Sequence, residues 1–311
     1  MNDIKIWLKS IGWSEWNIEV ASTDASFRSY YRLSKDDETY VLMDSSKLLE
    51  SLAPFVDMNE RLSNVNVRVP RIIVKNIKSG YLILEDFGSI HYLDILNEKN
   101  YQKLYKKAID EIVKMQQANT KDLPIYDKDF LRFEMDLMKE WYLEKYLNTI
   151  LDSEQKNIID RALRVISDSI LEQPQGVFVH RDFHSRNIML TPKSDIGIID
   201  FQDARVGAIT YDLVSLLKDC YVEWDKDEVE KLALYYRDSA GLDVDDEIFI
   251  KWFDFMGLQR HIKVLGIFSR LYLRDGKDGY LKDIPLTLKY VLETGSKYSE
   301  LKGLVSLLKS V

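Results

Sequence analysis

The pattern of hydrophobic and polar positions divides the chain into a strand-rich beginning and a helical remainder. Aromatic and β-branched residues dominate FRSYYRL and TYVLM, and the polar segment SKDDE between them predicts a hairpin. The predicted elements of this first part are a helix at 3–11, strands at 27–33 and 39–43, a helix at 47–63, and strands that follow Pro70 and Gly80. The first part is therefore mostly strand.

After Gly88 the pattern changes to long periodic segments with few glycines or prolines, which predict helices. These helices are predicted at 98–118, 127–149, 153–171, 209–219, 227–239, 245–272 and 284–309. Short apolar strands at 176–180, 187–190 and 196–200 interrupt them. We therefore predict an α+β fold with a small strand-rich N-terminal lobe, residues 1–87, and a larger, mostly helical C-terminal lobe, residues 88–311.

Composition and charge narrow the possible partners and compartment. The 311 residues are 46% hydrophobic, which is enough for a large core, and the net charge is −8. An acidic chain without a long basic run argues against nucleic acid or an anionic membrane as a partner. The single cysteine, Cys220, excludes an internal disulfide. The start does not resemble a signal peptide, so a cytoplasmic protein is expected.

The most informative stretch combines HRDFHSRN at 180–187 with IIDFQD at 198–203. The turn TPKSD separates two apolar strands there, which predicts a hairpin. If Leu190 pairs with Gly197, Asn187 falls opposite Asp200, and directly opposed residues lie about 5 Å apart. Amide and carboxylate oxygens are ligands that suit Mg²⁺. Asn187 and Asp200 are therefore the predicted metal ligands.

Asp182 lies five residues before Asn187 in the same loop. A carboxylate beside a metal–phosphate site, but outside the metal's ligands, is placed to accept a proton from a substrate hydroxyl. HRDFHSRN also has the spacing H-R-D-x-x-x-x-N of the protein-kinase catalytic loop, with Asp200 at the position of the D in D-F-G. We predict phosphoryl transfer with Asp182 as the catalytic base. The alternative is that Asp182 and Asn187 only cap turns and that Asp200 only ends a strand.

The first lobe lacks the glycine-rich loop and the lysine of protein kinases. The stretch TDASFRSYYRL occupies the expected place of the phosphate loop, and its small residue Ser26 would let backbone N–H groups approach phosphate. Arg28 is a candidate replacement cation, with a solvated hairpin charge as its alternative role. The backbone from Glu85 to Phe87 is the expected contact for an adenine ring.

Three segments resemble the aminoglycoside/choline-type phosphotransferase family: HRDFHSRNIM, IIDFQDARVGAITYDLVSLLKDCY and MGLQRHIKVLGIFSRLYLRDGKDGYLKDIP. Within it, the chain is most similar to bacterial anomeric (C1) kinases of N-acetylmuramate and N-acetylglucosamine. The resemblance implies a protein-kinase-like bilobal fold, ATP and Mg²⁺. It assigns the nucleotide to residues 1–87, catalysis and the acceptor to residues 88–311, and a structural role to Asp212. The lack of an activation segment argues against protein substrates.

An acceptor such as N-acetylmuramate carries a lactyl carboxylate, which a guanidinium would suit. Arg186 and Arg205 flank the predicted site in sequence, and His184 is a candidate hydrogen-bond donor to a sugar hydroxyl. Each has an alternative role as a local salt bridge or loop hydrogen bond.

The helix predicted at 245–272 has a polar stripe formed by Gln259, Lys263, Gly266 and Arg270. The stripe is either a solvated face or a wall of the acceptor pocket, and Lys263 and Arg270 are the candidate acceptor-binding residues. His261 lies on the opposite, apolar side and is expected to be packed.

The leading hypothesis from sequence is an ATP-dependent sugar 1-kinase that acts in peptidoglycan recycling. Two other enzyme classes remain: a kinase of another small alcohol, such as an aminoglycoside or choline, and a protein kinase. A nucleotide-binding pseudokinase is the alternative from a different class, and the absent lysine supports it. The complete set of Asp182, Asn187 and Asp200 argues against it.

Overall fold

A computed structural model describes residues 1–22, 28–193 and 195–311 of the chain. They fold as two compact units. The first unit comprises Met1–Ile90 and Met189–Gln202, and the second comprises His91–Ile188 and Asp203–Val311.

The first unit is built on a five-stranded antiparallel sheet with the strand order β1-β2-β3-β5-β4. Its strands are β1 Asn17–Ser22, β2 Ser29–Lys35, β3 Glu38–Asp44, β4 Ile72–Asn76 and β5 Tyr81–Glu85. The predicted hairpin is present, because β2 pairs with β3 from Ser29 opposite Asp44 to Lys35 opposite Glu38. Asp36 in its turn has a φ of 51°, a left-handed conformation that Asp tolerates better than most residues.

Helix α1, Asn2–Ser10, covers one face of this sheet. Its apolar residues Ile4, Trp7 and Leu8 recur at helical spacing and are buried. They pack with Leu33 and Leu42, which are fully buried on β2 and β3. Burial of this apolar surface is the main stabilising contribution to this part of the unit.

The other helix of the first unit, α2, spans Leu52–Asn64 and follows a 3-10 turn at Leu49–Ser51. Strands β7, Ile188–Leu190, and β8, Ile196–Ile198, form a separate two-stranded sheet. The hairpin predicted around TPKSD is therefore present, and Thr191 N donates to Asp195 O at 2.8 Å across its turn.

Long-range contacts hold this hairpin segment in the first unit. Ile198 N donates to Arg68 O at 2.8 Å, Leu190 N donates to Ile90 O at 2.9 Å, and the Phe201 and Phe55 rings pack with centroids 5.0 Å apart. The predicted lobes, residues 1–87 and 88–311, are two consecutive segments of the chain. In the structure, the segment from Met189 to Gln202 returns to the first unit.

The second unit is mostly helical. Its helices are α3 Tyr92–Ile95, α4 Tyr101–Met115, α5 Lys128–Leu137, α6 Ser153–Leu171, α7 Tyr211–Leu217, α8 Lys226–Ser239, α9 Asp246–Asp275, α10 Ile284–Ser296 and α11 Lys302–Ser310. It also has 3-10 turns at Asp278–Asp283 and Ser299–Leu301, and a two-stranded sheet of β6 Val177–Val179 and β9 Arg205–Gly207. Across the described residues, no helix has the length and apolar character that crossing a bilayer requires.

Local sequence explains where these helices begin and end. At the start of α6, the Asp152 side chain accepts from Gln155 N at 2.8 Å, and the Gln155 side chain accepts from Asp152 N at 2.9 Å. This reciprocal capping box satisfies two N–H groups that the helix leaves unpaired. Helix α9 is 30 residues long and ends at Gly276, whose φ of 67° is the left-handed conformation of a helix C-cap.

The predicted helices and strands are present. Three elements of the structure were not predicted, and two predicted helices are interrupted. Strands β1 and β9 and the one-turn helix α3 were not predicted. The helix predicted at 127–149 changes at Met138 into a π-helical segment, Met138–Tyr146. The helix predicted at 284–309 is interrupted between α10 and α11. These short or interrupted elements depend on tertiary contacts more than on periodicity.

Candidate active site

The predicted catalytic loop follows β6 in the second unit, and a buried carboxylate holds its first residues. Asp212, at the start of α7, accepts from His180 N at 2.7 Å and from Arg181 N at 3.0 Å. The structural role expected for Asp212 is therefore confirmed. Burial raises the pKa of Asp212 to about 6, against the opposing charge of His180 and these two hydrogen bonds.

Asp182 is partly exposed at the turn of this loop. Its backbone O accepts from His184 N at 3.0 Å and from Asn187 Nδ2 at 3.0 Å, so the loop is closed on itself. Burial alone would raise the pKa of Asp182, but the positive charge of Lys263, with smaller contributions from His184 and Arg181, lowers it below its usual value. The carboxylate is therefore ionised at neutral pH and able to accept a proton.

A second buried carboxylate anchors the middle of the loop. Asp219 Oδ2 accepts from Ser185 N at 2.9 Å and from Ser185 Oγ at 2.5 Å. His91 Nδ1 lies 2.6 Å from Arg186 O on the other side. Sequence reasoning missed Asp219, although its position in SLLKDCY, seven residues after Asp212, was available as a signal.

The two predicted metal ligands belong to different units, and their shared cation stays a prediction. The Asn187 Nδ2 group donates to Asp182 O in the loop, and its amide oxygen is the kind of atom that a hard cation binds. Asp200 is exposed and has a φ of 65°, and its Oδ1 accepts from Gln202 Nε2 at 2.8 Å. In the described part of the chain, no cluster of three or more His, Cys, Asp or Glu side chains is arranged to hold a metal ion.

This donor set fits Mg²⁺ better than a transition metal. Mg²⁺ keeps several waters and is bound by one or two protein oxygens together with substrate phosphates, so it needs no dedicated protein cage. An amide oxygen and a carboxylate meet that requirement, and neither nitrogen nor sulfur ligands are involved.

The candidate nucleotide residues lie in the first unit. Ser26 falls outside the described residues. Arg28 is 7% exposed, which excludes the solvated hairpin role, and it donates to Ser51 Oγ at 3.3 Å and Ser51 O at 3.2 Å. The charge of Arg28, which belongs to the stretch predicted to contact phosphate, is thus held inside the unit.

The segment from Glu85 to Phe87 is fixed by two arginines. The Glu85 carboxylate accepts from Arg68 Nη1 at 2.9 Å and from Arg71 Nε at 3.0 Å. Against the effect of burial, these bonds lower the pKa of Glu85. Glu85 N donates to Arg71 O at 2.9 Å, so this amide is engaged within the unit. Phe87 is buried, and the Arg68 guanidinium lies 5.1 Å from its ring centre.

Another arginine fixes the end of this segment and was missed by sequence reasoning. Arg32 on β2 donates to both carboxylate oxygens of Asp86, at 2.6 and 3.1 Å, and to Gly88 O at 2.9 Å. The bidentate geometry fixes the chain where β5 leaves the sheet.

The candidate acceptor residues differ in their surroundings. The Arg186 guanidinium lies 3.6 Å from the centre of the Tyr221 ring, which the His184 ring approaches edge-on at 5.3 Å. Arg205 stacks on Phe130 at 3.6 Å and donates to Ile125 O. No ion pair found among the described residues includes Arg186.

The polar stripe of α9 is not a solvated face. Gln259 is 0% exposed and Lys263 is 6% exposed, and Lys263 Nζ lies 3.1 Å from Glu134 Oε1 and donates to Tyr211 OH at 3.0 Å. Arg270 is half-buried, and its Nε has no hydrogen-bond partner among the described residues. His261, at 1% exposed, is packed as expected.

Gly266, in the middle of the stripe, packs against the backbone of α5. A Cβ added there would lie 2.5 Å from Leu137 O and 2.6 Å from Leu137 Cβ. The small residue is therefore required for close helix packing, and the pocket-wall interpretation of this glycine is unnecessary.

Comparison with known proteins gives a consistent result. The family model described as "Phosphotransferase enzyme family" matches residues 17–248. N-acetylmuramate/N-acetylglucosamine kinase of Pseudomonas aeruginosa is 38% identical over 309 residues, which cover 96% of this chain and 91% of that protein. The protein of the same name from Neisseria meningitidis is 37% identical, and the match covers 98% of this chain and 94% of that protein.

Among solved structures, the ADP-bound aminoglycoside phosphotransferase APH(2'')-Ib has a similar fold. Its TM-score is 0.64 at 19% identity, and the match covers 94% of this chain and 99% of that one. At this identity the likeness concerns the fold alone, which confirms the predicted protein-kinase-like α+β class. With a family model that covers most of its length and relatives well above 30% identity, the chain belongs to the phosphotransferase enzyme family.

Proposed function

We propose that this protein is an ATP- and Mg²⁺-dependent kinase that phosphorylates the anomeric hydroxyl of N-acetylmuramate and N-acetylglucosamine. The observation that carries the proposal is an ionised, partly exposed Asp182 at the head of a tightly anchored loop. The names of the relatives that match nearly the whole chain support the choice of acceptor.

Asp182 acts as the general base in this proposal. Its carboxylate accepts the proton of the anomeric hydroxyl, and the resulting oxygen attacks the γ-phosphorus of ATP. The bond between that phosphorus and the bridging oxygen breaks, ADP leaves, and the sugar 1-phosphate forms. An anomeric hydroxyl is more acidic than an ordinary alcohol, so a single aspartate is a sufficient base.

Asn187 and Asp200 would hold the magnesium ion. When bound, Mg²⁺ supplies positive charge that neutralises the phosphate oxygens. The closed loop orients the Asn187 amide through its bond to Asp182 O, and the bond from Gln202 orients the Asp200 carboxylate. Ligands held in this way need little reorganisation when the cation arrives.

The first unit would bind the nucleotide. We propose that the backbone from Glu85 to Phe87 contacts the adenine ring and that Ser26 and Arg28 lie near the phosphates. The two arginines on Glu85 and the Arg32–Asp86 pair support the first assignment, because they hold this segment rigid. The buried position of Arg28, within the stretch predicted to be the phosphate loop, supports the second.

Arg186 is the strongest candidate for the lactyl carboxylate of N-acetylmuramate. Its guanidinium stacks on Tyr221, next to His184, which is two residues from Asp182. Among the described residues, Arg186 forms no ion pair. Lys263 already forms an ion pair with Glu134. Arg205 already stacks on Phe130 and donates to Ile125 O. We therefore rank Arg186 above Arg270, Arg205 and Lys263, with His184 as a donor to a sugar hydroxyl.

In the cell, such an enzyme would return cell-wall amino sugars to metabolism, and we propose that it does so in the cytoplasm. Its partners would be small-molecule sugars, without a protein, nucleic-acid or membrane partner.

The decisive experiment offers the purified protein ATP–Mg²⁺ and a panel of acceptors. The panel contains N-acetylmuramate, N-acetylglucosamine, their 1-O-methyl glycosides, an aminoglycoside and choline. We expect ¹H and ³¹P NMR to show a 1-phosphate on the two free sugars and none on the glycosides. Phosphorylation of a methyl glycoside would move the reaction away from C1.

Asp182→Asn is the matched control in that experiment. It should keep nucleotide affinity and lose most turnover, because the base is lost while the loop stays closed through the Asp182 backbone O. Turnover of choline or the aminoglycoside alone would replace the sugar assignment. Nucleotide binding without turnover of any acceptor would favour a pseudokinase.

A further inference from the structure

A buried carboxylate on α5 connects the catalytic loop to α9. Glu134 has a side chain that is 4% exposed; it accepts hydrogen bonds from three side chains and forms an ion pair with a fourth. Oε1 lies 2.8 Å from Arg181 Nη2 and 3.1 Å from Lys263 Nζ, whereas Oε2 accepts from Tyr126 OH and from Gln259 Nε2 at 3.2 Å. The predicted function assigns no role to Glu134.

The charge of Glu134 is needed where it lies. A buried charge is costly unless it is paired, and here two cations share one carboxylate. Burial lowers the pKa of Lys263, and Glu134 opposes that effect. Removing the carboxylate would leave the half-buried Arg181 and the buried Lys263 as neighbouring cations that repel each other.

Arg181, which directly precedes Asp182, has an unfavourable backbone conformation. Its φ is 79°, in the left-handed region that non-glycine residues rarely adopt. Such a conformation persists only where the surroundings fix it. The two backbone bonds to Asp212 fix it on one side, and on the other the side chain donates to Glu134 and to Asp203 O at 3.3 Å.

We propose that Glu134 is a positioning residue that acts through Arg181 to hold Asp182 in its reactive place. This inference rests on the proposed function, in which Asp182 is the base. A displacement of about 1 Å at a reacting group lowers the rate roughly a hundredfold. The carboxylate therefore affects turnover rather than substrate affinity, although it touches no substrate.

Asp254 on α9 offers a matched control. Its side chain is 2% exposed and also binds two cations and a tyrosine: Lys218 and Lys297 at 2.8 Å each, and Tyr298 OH at 3.0 Å. None of these three partners lies in the catalytic loop or binds Glu134 or Arg181. Asp254→Asn should therefore lower the melting temperature much as Glu134→Gln does, but it should leave kcat unchanged.

The test compares kcat, KM for both substrates and thermal stability in wild type, Glu134→Gln, Arg181→Met and the double variant. We expect each single variant to lose about tenfold or more in kcat, with KM for ATP within about twofold of wild type. Because Glu134 acts through Arg181, the double variant should be no slower than the slower single variant. Arg181→Met also breaks the pair from its more exposed side, should Glu134→Gln not fold.

Two results would overturn the proposal. One is a Glu134→Gln protein that loses stability like Asp254→Asn but keeps kcat. The other is kcat losses that multiply in the double variant.

A readout without any sugar separates this inference from the proposed function. Hydrogen exchange at the His180 and Arg181 amides should be faster in Glu134→Gln and unchanged in Asp254→Asn. If wild type phosphorylates no amino sugar while the exchange differs in this way, the acceptor assignment fails and the positioning stands. If the exchange is the same in both variants, the positioning fails whatever the acceptor is.

Discussion

The close approach of α9 to α5 at Gly266 makes a quantitative prediction about stability. An alanine Cβ at this position would lie 2.5 Å from Leu137 O and 2.6 Å from Leu137 Cβ. Favourable carbon contacts lie at about 3.5–4.0 Å, so the helices would have to separate by about 1 Å. The obstacle includes backbone, which cannot move aside as the end of a flexible side chain can.

The expected magnitude is a balance of two opposing effects. Alanine is favoured over glycine by about 1 kcal/mol inside a helix. Overpacking a tight contact typically costs about 1–3 kcal/mol, and this contact belongs at or above the upper limit because the backbone must shift. Gly266→Ala should therefore lower the free energy of unfolding by about 2 kcal/mol, which at about 2–3 °C per kcal/mol lowers the melting temperature by about 4–6 °C.

Gly257→Ala on the same helix is the matched control. Its added Cβ would meet Lys218 Cδ and Val214 Cγ1 at 3.7 Å each, which is ordinary van der Waals contact. This variant should be as stable as wild type or more stable by up to about 1 kcal/mol. Thermal and urea unfolding, followed through the six tryptophans, would measure both variants. Equal stability of Gly266→Ala and Gly257→Ala would refute the packing argument.

Three further predictions concern the metal, the acceptor and acid stability. Asn187→Ala and Asp200→Ala should each raise the Mg²⁺ concentration for half-maximal activity, Asp200→Ala more strongly because a charge is lost; an unchanged requirement in both would remove these ligands. Arg186→Gln should lower kcat/KM for N-acetylmuramate by about ten- to hundredfold and spare N-acetylglucosamine, because a charge-assisted hydrogen bond contributes about 1.5–3 kcal/mol. An equal effect on both sugars would mean that Arg186 does not read the carboxylate. The Gln variants of Arg270, Arg205 and Lys263 would then be compared on both sugars in the same way. Burial, aided by the charge of Arg260, lowers the pKa of His261 from 6.5 to about 3 in the folded protein. Between pH 6.5 and pH 3, His261 is protonated in the unfolded chain but not in the folded protein, so the free energy of unfolding should fall as the pH drops through this range. His261→Gln should flatten this pH dependence, as measured by urea unfolding at several pH values.

Local patterns were sufficient to predict most of the elements and to single out the loop that we propose to be catalytic. The alternation in FRSYYRL and TYVLM and the turn between them predict the β2–β3 hairpin, because side-chain period and turn chemistry are local properties. The spacing of Asp182, Asn187 and Asp200 is equally local, and the family comparison agrees with the class of enzyme that it indicates.

The sequence could not show which distant residues fix that loop. Glu134 and Asp219 lie far along the chain from the loop, yet each binds the segment from His180 to Ser185. Lys263 lies on a polar stripe that suggests solvent or a pocket, and the structure buries it against Glu134. Periodicity identifies a polar face, but only the packing of helices determines what that face meets.

The sequence by itself determined the order of most elements and the acidic character of the chain, and it predicts the residues that would carry the chemistry. The tertiary structure decided how that chemistry is supported. In the fold, Met189–Gln202 belongs to the first unit, and Gly266 allows α9 to pack closely against α5. The fold also places positive charges near Asp182 that keep its carboxylate ionised. The physical reason is that secondary structure and turns follow from short-range sterics and periodicity, whereas burial and charge pairing depend on residues that only folding brings together.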